Sequence, residues 1–127
     1  VQNAYTALWT EYQELTSSIP LLNVIRRILQ YYFLELCGYQ GSNIRDIILK
    51  KYKSEFIKKR TDGTIDDTDY HLASSMLSYI DNECSFIDGF NLVQEAVDPE
   101  QYRKVMKKIF EKLEQSQHYR MMTHEKD

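Results

Sequence analysis

Helix breakers are scarce in this chain: 4 Gly and 2 Pro in 127 residues. That leaves few points for sharp turns, which excludes a many-turned β-sandwich and favours long helices. Cysteine is nearly absent as well. Cys37 and Cys84 stand in apolar, helix-like surroundings without CxxC spacing, so buried thiols are expected rather than a disulfide or a metal site. No stretch of 18 apolar residues is long enough to span a bilayer, and the first residues, Asn3, Thr6 and Glu11 among them, lack the basic-then-apolar order of a signal peptide. The expectation is a soluble cytoplasmic protein with no membrane partner. Also missing are GxxxxGK[ST], HExxH and GxSxG, so this domain is expected to bind no ATP, metal or other cofactor of its own. Val1 in place of an initiator Met is read as the start of a fragment.

What is present describes a globular domain. With 43% hydrophobic and 28% charged residues, residues 1–127 are expected to form a single domain around one core. The net charge of −3 gives no overall attraction to nucleic acid, so any such contact must come from a local patch. The 10 Tyr suit half-buried helix faces or interfaces, because each phenol needs water or a partner for its hydroxyl.

Apolar periodicity predicts an all-α bundle of about five helices. The first spans about Asn3 to Leu15, with Ala4, Leu8, Trp9, Tyr12 and Leu15 inward. A second opens after Ser18 with Pro20 in its first turn and stops at Gly38, matching the preference for Pro at helix starts and Gly past helix ends. Its apolar residues from Leu21 to Leu36 wrap most of the cylinder, so it belongs at the centre of the core. The third starts with Ser42 as N-cap and turns Ile44, Ile47, Ile48, Tyr52 and Phe56 inward, with Lys50, Lys51, Lys53, Lys58, Lys59 and Arg60 outward. A loop from Thr61 to Asp69 follows. The fourth helix starts near Asp66 or Asp67 and runs to about Cys84, and the fifth starts at Asp98 as N-cap, with Pro99 at N1 and Gln101 at the capping-box position. On the fifth, Arg103, Lys104, Lys107, Lys108 and Lys112 form a solvated face opposite the apolar stripe.

The second helix carries the most informative polar pattern. At about 100° per residue, Asn23, Arg26, Arg27 and Gln30 fall on one arc of an otherwise apolar cylinder. Such a seam is costly to bury without partners, so it faces either a cleft or carboxylates such as Asp81 or Glu35. The fourth helix offers a matching stripe of His71, Ser74, Ser75, Ser78, Asp81, Asn82 and Ser85. If the two faces meet, they form a polar groove in which arginine forks onto phosphate oxygens. The binding set is then Asn23, Arg26, Arg27, Gln30, Ser78, Asp81 and Ser85. Metal-free RNA cleavage additionally needs a group titrating near neutrality. The candidates for catalysis are therefore Arg26 with His71 or His118.

Several strings occur together: Tyr5-x-x-Leu8-Trp9-x-Glu11-Tyr12, then Asn23 through Phe33, then Leu77-Ser78-Tyr79-Ile80-Asp81, then Ile109 through Lys112 with Gln117, His118, Tyr119, Met121 and Met122. In this order they resemble the C-terminal region of large AAA ATPases related to the bacterial anticodon nucleases, whose C-terminal domains are similar to HEPN ribonucleases. The resemblance implies a HEPN-like bundle at the C-terminal end of a defence-type ATPase. It also implies tRNA or other RNA and the rest of the ATPase chain as partners, homo-oligomerisation, and ATP with Mg bound elsewhere in the parent. Arg26 and Arg27 match the family's Arg-Arg-Ile-Leu-Glu-Tyr-Tyr-Phe string, but Gln30 stands where its glutamate would be. Ser85 stands where the later string Trp-Ile-Asn-Asp-Gly-Ser-His has histidine. Both departures remove a titratable group, so the resemblance implies a degenerate ribonuclease that holds RNA or a partner protein. An active metal-independent RNase and a plain dimerisation bundle, the latter built on Trp9 and the Tyr31/Tyr32 cluster, are the alternatives.

Overall fold

The computed structural model describes residues 3–78, 80 and 97–125. Helix α1 (Ala4–Glu14) starts where the Asn3 side chain accepts a 2.7 Å bond from the Thr6 N–H, satisfying one of the orphan donors of its first turn. Helix α2 (Ser18–Leu29) tolerates Pro20 because first-turn N–H groups have no partner inside the helix. It widens into π-type turns over Gln30–Leu36 and stops where Gly38 takes a left-handed φ of +76°, a conformation free of cost only without a Cβ. Helix α3 (Gly41–Asp46) continues as a π-type turn (Ile47–Lys51) and a 3-10 turn (Lys53–Phe56). A short antiparallel hairpin follows, β1 (Lys58–Lys59) with β2 (Ile65–Asp66), in which Lys58 faces Asp66 and Lys59 faces Ile65. Helices α4 (Thr68–Leu77), α5 (Pro99–Lys112) and α6 (Ser116–Thr123) complete the described chain.

Helix dominates, as the scarcity of breakers predicts, but the boundaries differ in instructive places. A sixth helix follows the fifth, because Glu114 adopts a left-handed φ of 63° without being glycine. Gln115 N–H then closes onto the Phe110 carbonyl at 2.7 Å, and this break carries no Gly or Pro signal. The N-cap position of α3 is Gln40, in extended conformation, rather than Ser42, which lies inside the helix. Asp98 does cap α5, accepting from the Glu100 N–H at 2.9 Å with Pro99 beside it. Gln101 forms no capping box; its amide instead donates to Asp69 on α4 at 3.1 Å. The expected end of the fourth helix near Cys84 lies outside the described residues, as does Cys84 itself.

One core runs through all six helices. Leu21, Leu22, Ile25, Ile28, Leu29 and Phe33 of α2 and its continuation are fully buried, as a helix wrapped in apolar side chains must be. Leu36, expected inward, is 58% exposed, because the wider turns from Gln30 onward carry it off the 3.6-residue register. Cys37 is exposed for the same reason. On α1 the buried face is Leu8, Trp9 and Tyr12, with Tyr5 partly buried and Ala4 exposed. Trp9 is boxed by Tyr12, Phe110 and Tyr119, all edge-on with ring centroids 5.1–5.8 Å away, the geometry that ring quadrupoles favour. The Trp9 face is therefore filled by α5 and α6 of the same chain and is not open to a second copy. Arg103, expected on a solvated face, instead donates to Tyr12 O at 2.8 and 3.1 Å and to Leu15 O at 2.5 Å, stabilising the carbonyl end of α1.

Candidate functional site

The polar seam of α2 is split by the fold. Arg26 is half-buried between α2 and α4, and its Nε and Nη2 donate to the Ser75 carbonyl at 3.0 and 2.7 Å. Arg45 of α3 points to the next turn of the same helix, donating to Leu77 O at 3.4 Å. Two guanidinium groups thus meet the carbonyls of the last described turn of α4, where the helix dipole presents partial negative charge. Asn23, Arg27 and Gln30 are exposed. No described residue forms a hydrogen bond or ion pair with Arg27.

The serine stripe of α4 is packed away instead of lining an open groove. Ser74, Ser75 and Ser78 are buried, and the Ser78 hydroxyl donates to Ser74 O at 2.5 Å, an internal bond that leaves it little capacity for a ligand. His71 sits in the first turns of α4, 2.9 Å from Asp67, and does not line the groove that holds Arg27. Asp81, Asn82 and Ser85 lie outside the described residues.

Arg27 and Gln30 open onto a surface groove of about 670 Å³ between α1 and the widened end of α2. Tyr5 and Tyr31 line it beside them, their ring centroids 4.9 Å apart, and Glu35 stands at its edge. His118 of α6 lies directly behind Tyr5. Its Nε2 is 2.7 Å from the Tyr5 hydroxyl, and its ring stacks on Tyr32 with centroids 3.9 Å apart and planes 8° from parallel. Tyr32 in turn donates to Gln115 Oε1 at 2.5 Å. Burial lowers the His118 pKa below its ordinary value, and burial raises that of the Tyr5 phenol, because both charged forms lose hydration.

No protein-family profile, curated protein or solved structure matches this chain. The chemistry of the groove must therefore be read from its own atoms. A general base needs a free lone pair within reach of its target. The Nε2 of His118 is engaged by the Tyr5 hydroxyl, and Tyr5 keeps its proton at neutral pH. Gln30 cannot ionise. Beside the Glu35 carboxylate at its edge, the groove offers a ligand a free guanidinium, an amide and two phenol rings, groups that can hold a phosphodiester and stack a base. Among the described residues no helix is long and apolar enough to cross a membrane.

Two residues that organise this site escape pattern reading. Tyr5 gives a signal only through its i, i+4 spacing to Trp9 on α1, and its partner His118 is 113 residues away. Tyr32 reads as core, and it is, yet its hydroxyl emerges to reach Gln115.

Proposed function

We propose that this chain is the HEPN-like C-terminal module of a defence-type AAA ATPase, a lapsed ribonuclease that holds RNA between α1 and α2 without cutting it. The nucleotide-binding part belongs to the rest of the longer protein. The observation that carries the reading is Arg27, unpaired among the described residues and exposed in a groove with Tyr5 and Tyr31, beside Gln30, which cannot ionise where the resembled family has glutamate. The resemblance of the sequence strings to those of the anticodon-nuclease ATPases supports the same reading. Arg26, the other arginine of that pair, serves as a strut to α4.

The test is to measure tRNA binding and cleavage by the chain and by Arg27→Ala. Binding without fragments is expected, with the variant weakened by about 1.5–3 kcal/mol, the range for losing a charged hydrogen-bond donor. Unchanged affinity in Arg27→Ala would remove the groove from the reading. Cleavage by the unmodified chain, abolished in His118→Ala, would show an active nuclease working through the Tyr5–His118 pair. The double change Gln30→Glu with Ser85→His returns both titratable groups, and its gaining cleavage would mark the ancestry as nucleolytic.

A further inference from the structure

A second surface carries charge of one sign. Where the third helical segment gives way to the hairpin, a shallow groove of about 470 Å³ is lined by Lys50, Lys51, Lys53 and Lys59 over Ile57 and Ile65. No carboxylate lines it, although acids outnumber bases in the whole chain, 19 to 16. The neighbouring acids are engaged elsewhere: Asp69 with Lys58, Asp66 with Arg60, and Glu55 with Lys112. Lys50 has only an exposed contact with Asp46 at 3.3 Å, which screening makes weak. Lys51, Lys53 and Lys59 form no ion pair with any described residue. The β1/β2 pairing sets Lys59 directly across from Ile65, so the hairpin holds one cation and the exposed apolar side chain, 64% accessible, at the rim of the same recess.

We infer that this lysine groove binds the phosphodiester backbone of single-stranded RNA, with Ile65 and Ile57 offering an apolar contact to sugars or bases. Four cations converging on one recess with no acid between them create a local positive field in a protein whose overall field is negative. A strand can lie along a recess, whereas a membrane surface is planar. A single exposed isoleucine is a small anchor for insertion into lipid. The inference is independent of the α1/α2 groove, since none of its residues belongs to that groove.

The experiment is fluorescence anisotropy of a labelled oligouridylate with the full chain across a salt series. Four phosphates neutralised at a slope of about −0.7 each predict an affinity falling about 50-fold between about 50 and 200 mM salt. Replacing Lys50, Lys51, Lys53 and Lys59 together by Gln should abolish that salt-dependent part. Each single Lys→Gln change should lower the slope by about 0.7, which keeps the test available should the fourfold variant fail to fold. Arg27→Ala should leave the lysine-dependent part in place. An unchanged slope in the single lysine variants would overturn the inference. So would loss of all binding in Arg27→Ala alone, an outcome that leaves the proposed function standing. Failure of the unmodified chain to bind the RNA, whether or not it sediments with phosphatidylserine vesicles, overturns the lysine groove as an RNA site.

Discussion

Where α1 meets α5 and α6 the protein is built from interlocked rings, whereas from Lys50 to Asp66 it is built from exposed cations anchored by one buried ring, Phe56. In the first region Trp9, Tyr12, Phe110 and Tyr119 exclude water; the Tyr12 and Tyr119 hydroxyls partner each other at 2.7 Å, while the Trp9 Nε1 has no hydrogen-bond partner among the described residues. In the second region the contacts are exposed ion pairs and lysines lying over ring faces, Lys51 on Tyr52 and Lys53 on Tyr70, which leave the cations accessible to solvent. If the lysine groove binds RNA as proposed, substitutions in the ring region should act on stability and those in the cationic region on binding.

The largest effect is expected at Trp9. Trp9→Ala should cost about 3–5 kcal/mol, the range for emptying a buried indole site, read as a lowered urea midpoint. Next come the two arginine struts. Arg103→Ala and Arg26→Ala each remove a guanidinium bonded to helix carbonyls and should cost about 1.5–3 kcal/mol. RNA affinity per folded molecule should not change in Arg26→Ala, and a selective loss of affinity there would undo the split of the seam into a strut and a binding half. Tyr119→Phe leaves the Tyr12 hydroxyl without its partner in a buried site, a loss of about 1–3 kcal/mol measurable as a lower melting temperature. In the cationic region, Lys51→Gln, Lys53→Gln and Lys59→Gln should each stay within about 0.5 kcal/mol of the parent. A larger loss would mean that this surface is part of the scaffold after all.

The smallest effect concerns pH. Burial lowers the folded-state pKa of His118, so the folded protein favours the neutral ring and the unfolded chain binds the extra proton first. The stability this confers is fully present above the ordinary imidazole value and is lost as the pH falls through the lowered folded value. Denaturation curves for His118→Gln should therefore show a weaker loss of stability on mild acidification than those of the parent.

Much of the scaffold was legible because local chemistry decides it. Asp98-Pro99 starts a helix wherever it occurs before an amphipathic run, and Gly38 ends one because only glycine accepts its φ without cost. The π-type turns after Leu29 were not legible. Their pattern is apolar under either helical pitch, and only the exposure of Leu36 reveals which pitch applies. The α2 seam was recognisable as polar, but its division was not. One step along a helix rotates a side chain by about 100°, enough to send Arg26 to α4 and Arg27 to solvent. The neighbour each meets is fixed by packing far away in sequence. His118 was identified as a candidate for its chemistry alone; that it would be held by Tyr5 and Tyr32 depends on contacts spanning the whole chain.

The bond between the Tyr12 and Tyr119 hydroxyls spans 107 residues, and that separation sets a timetable during synthesis. A ribosome adding about 5–20 residues per second needs about 5–20 s to make the stretch between them. Throughout that interval Trp9 has neither Phe110 nor Tyr119 to cover it. The nascent chain can form α1 to α3 early, but its most aromatic face stays uncovered until α6 emerges. That window is when a chaperone, or another nascent chain of the same kind, would find the greatest area of exposed ring surface.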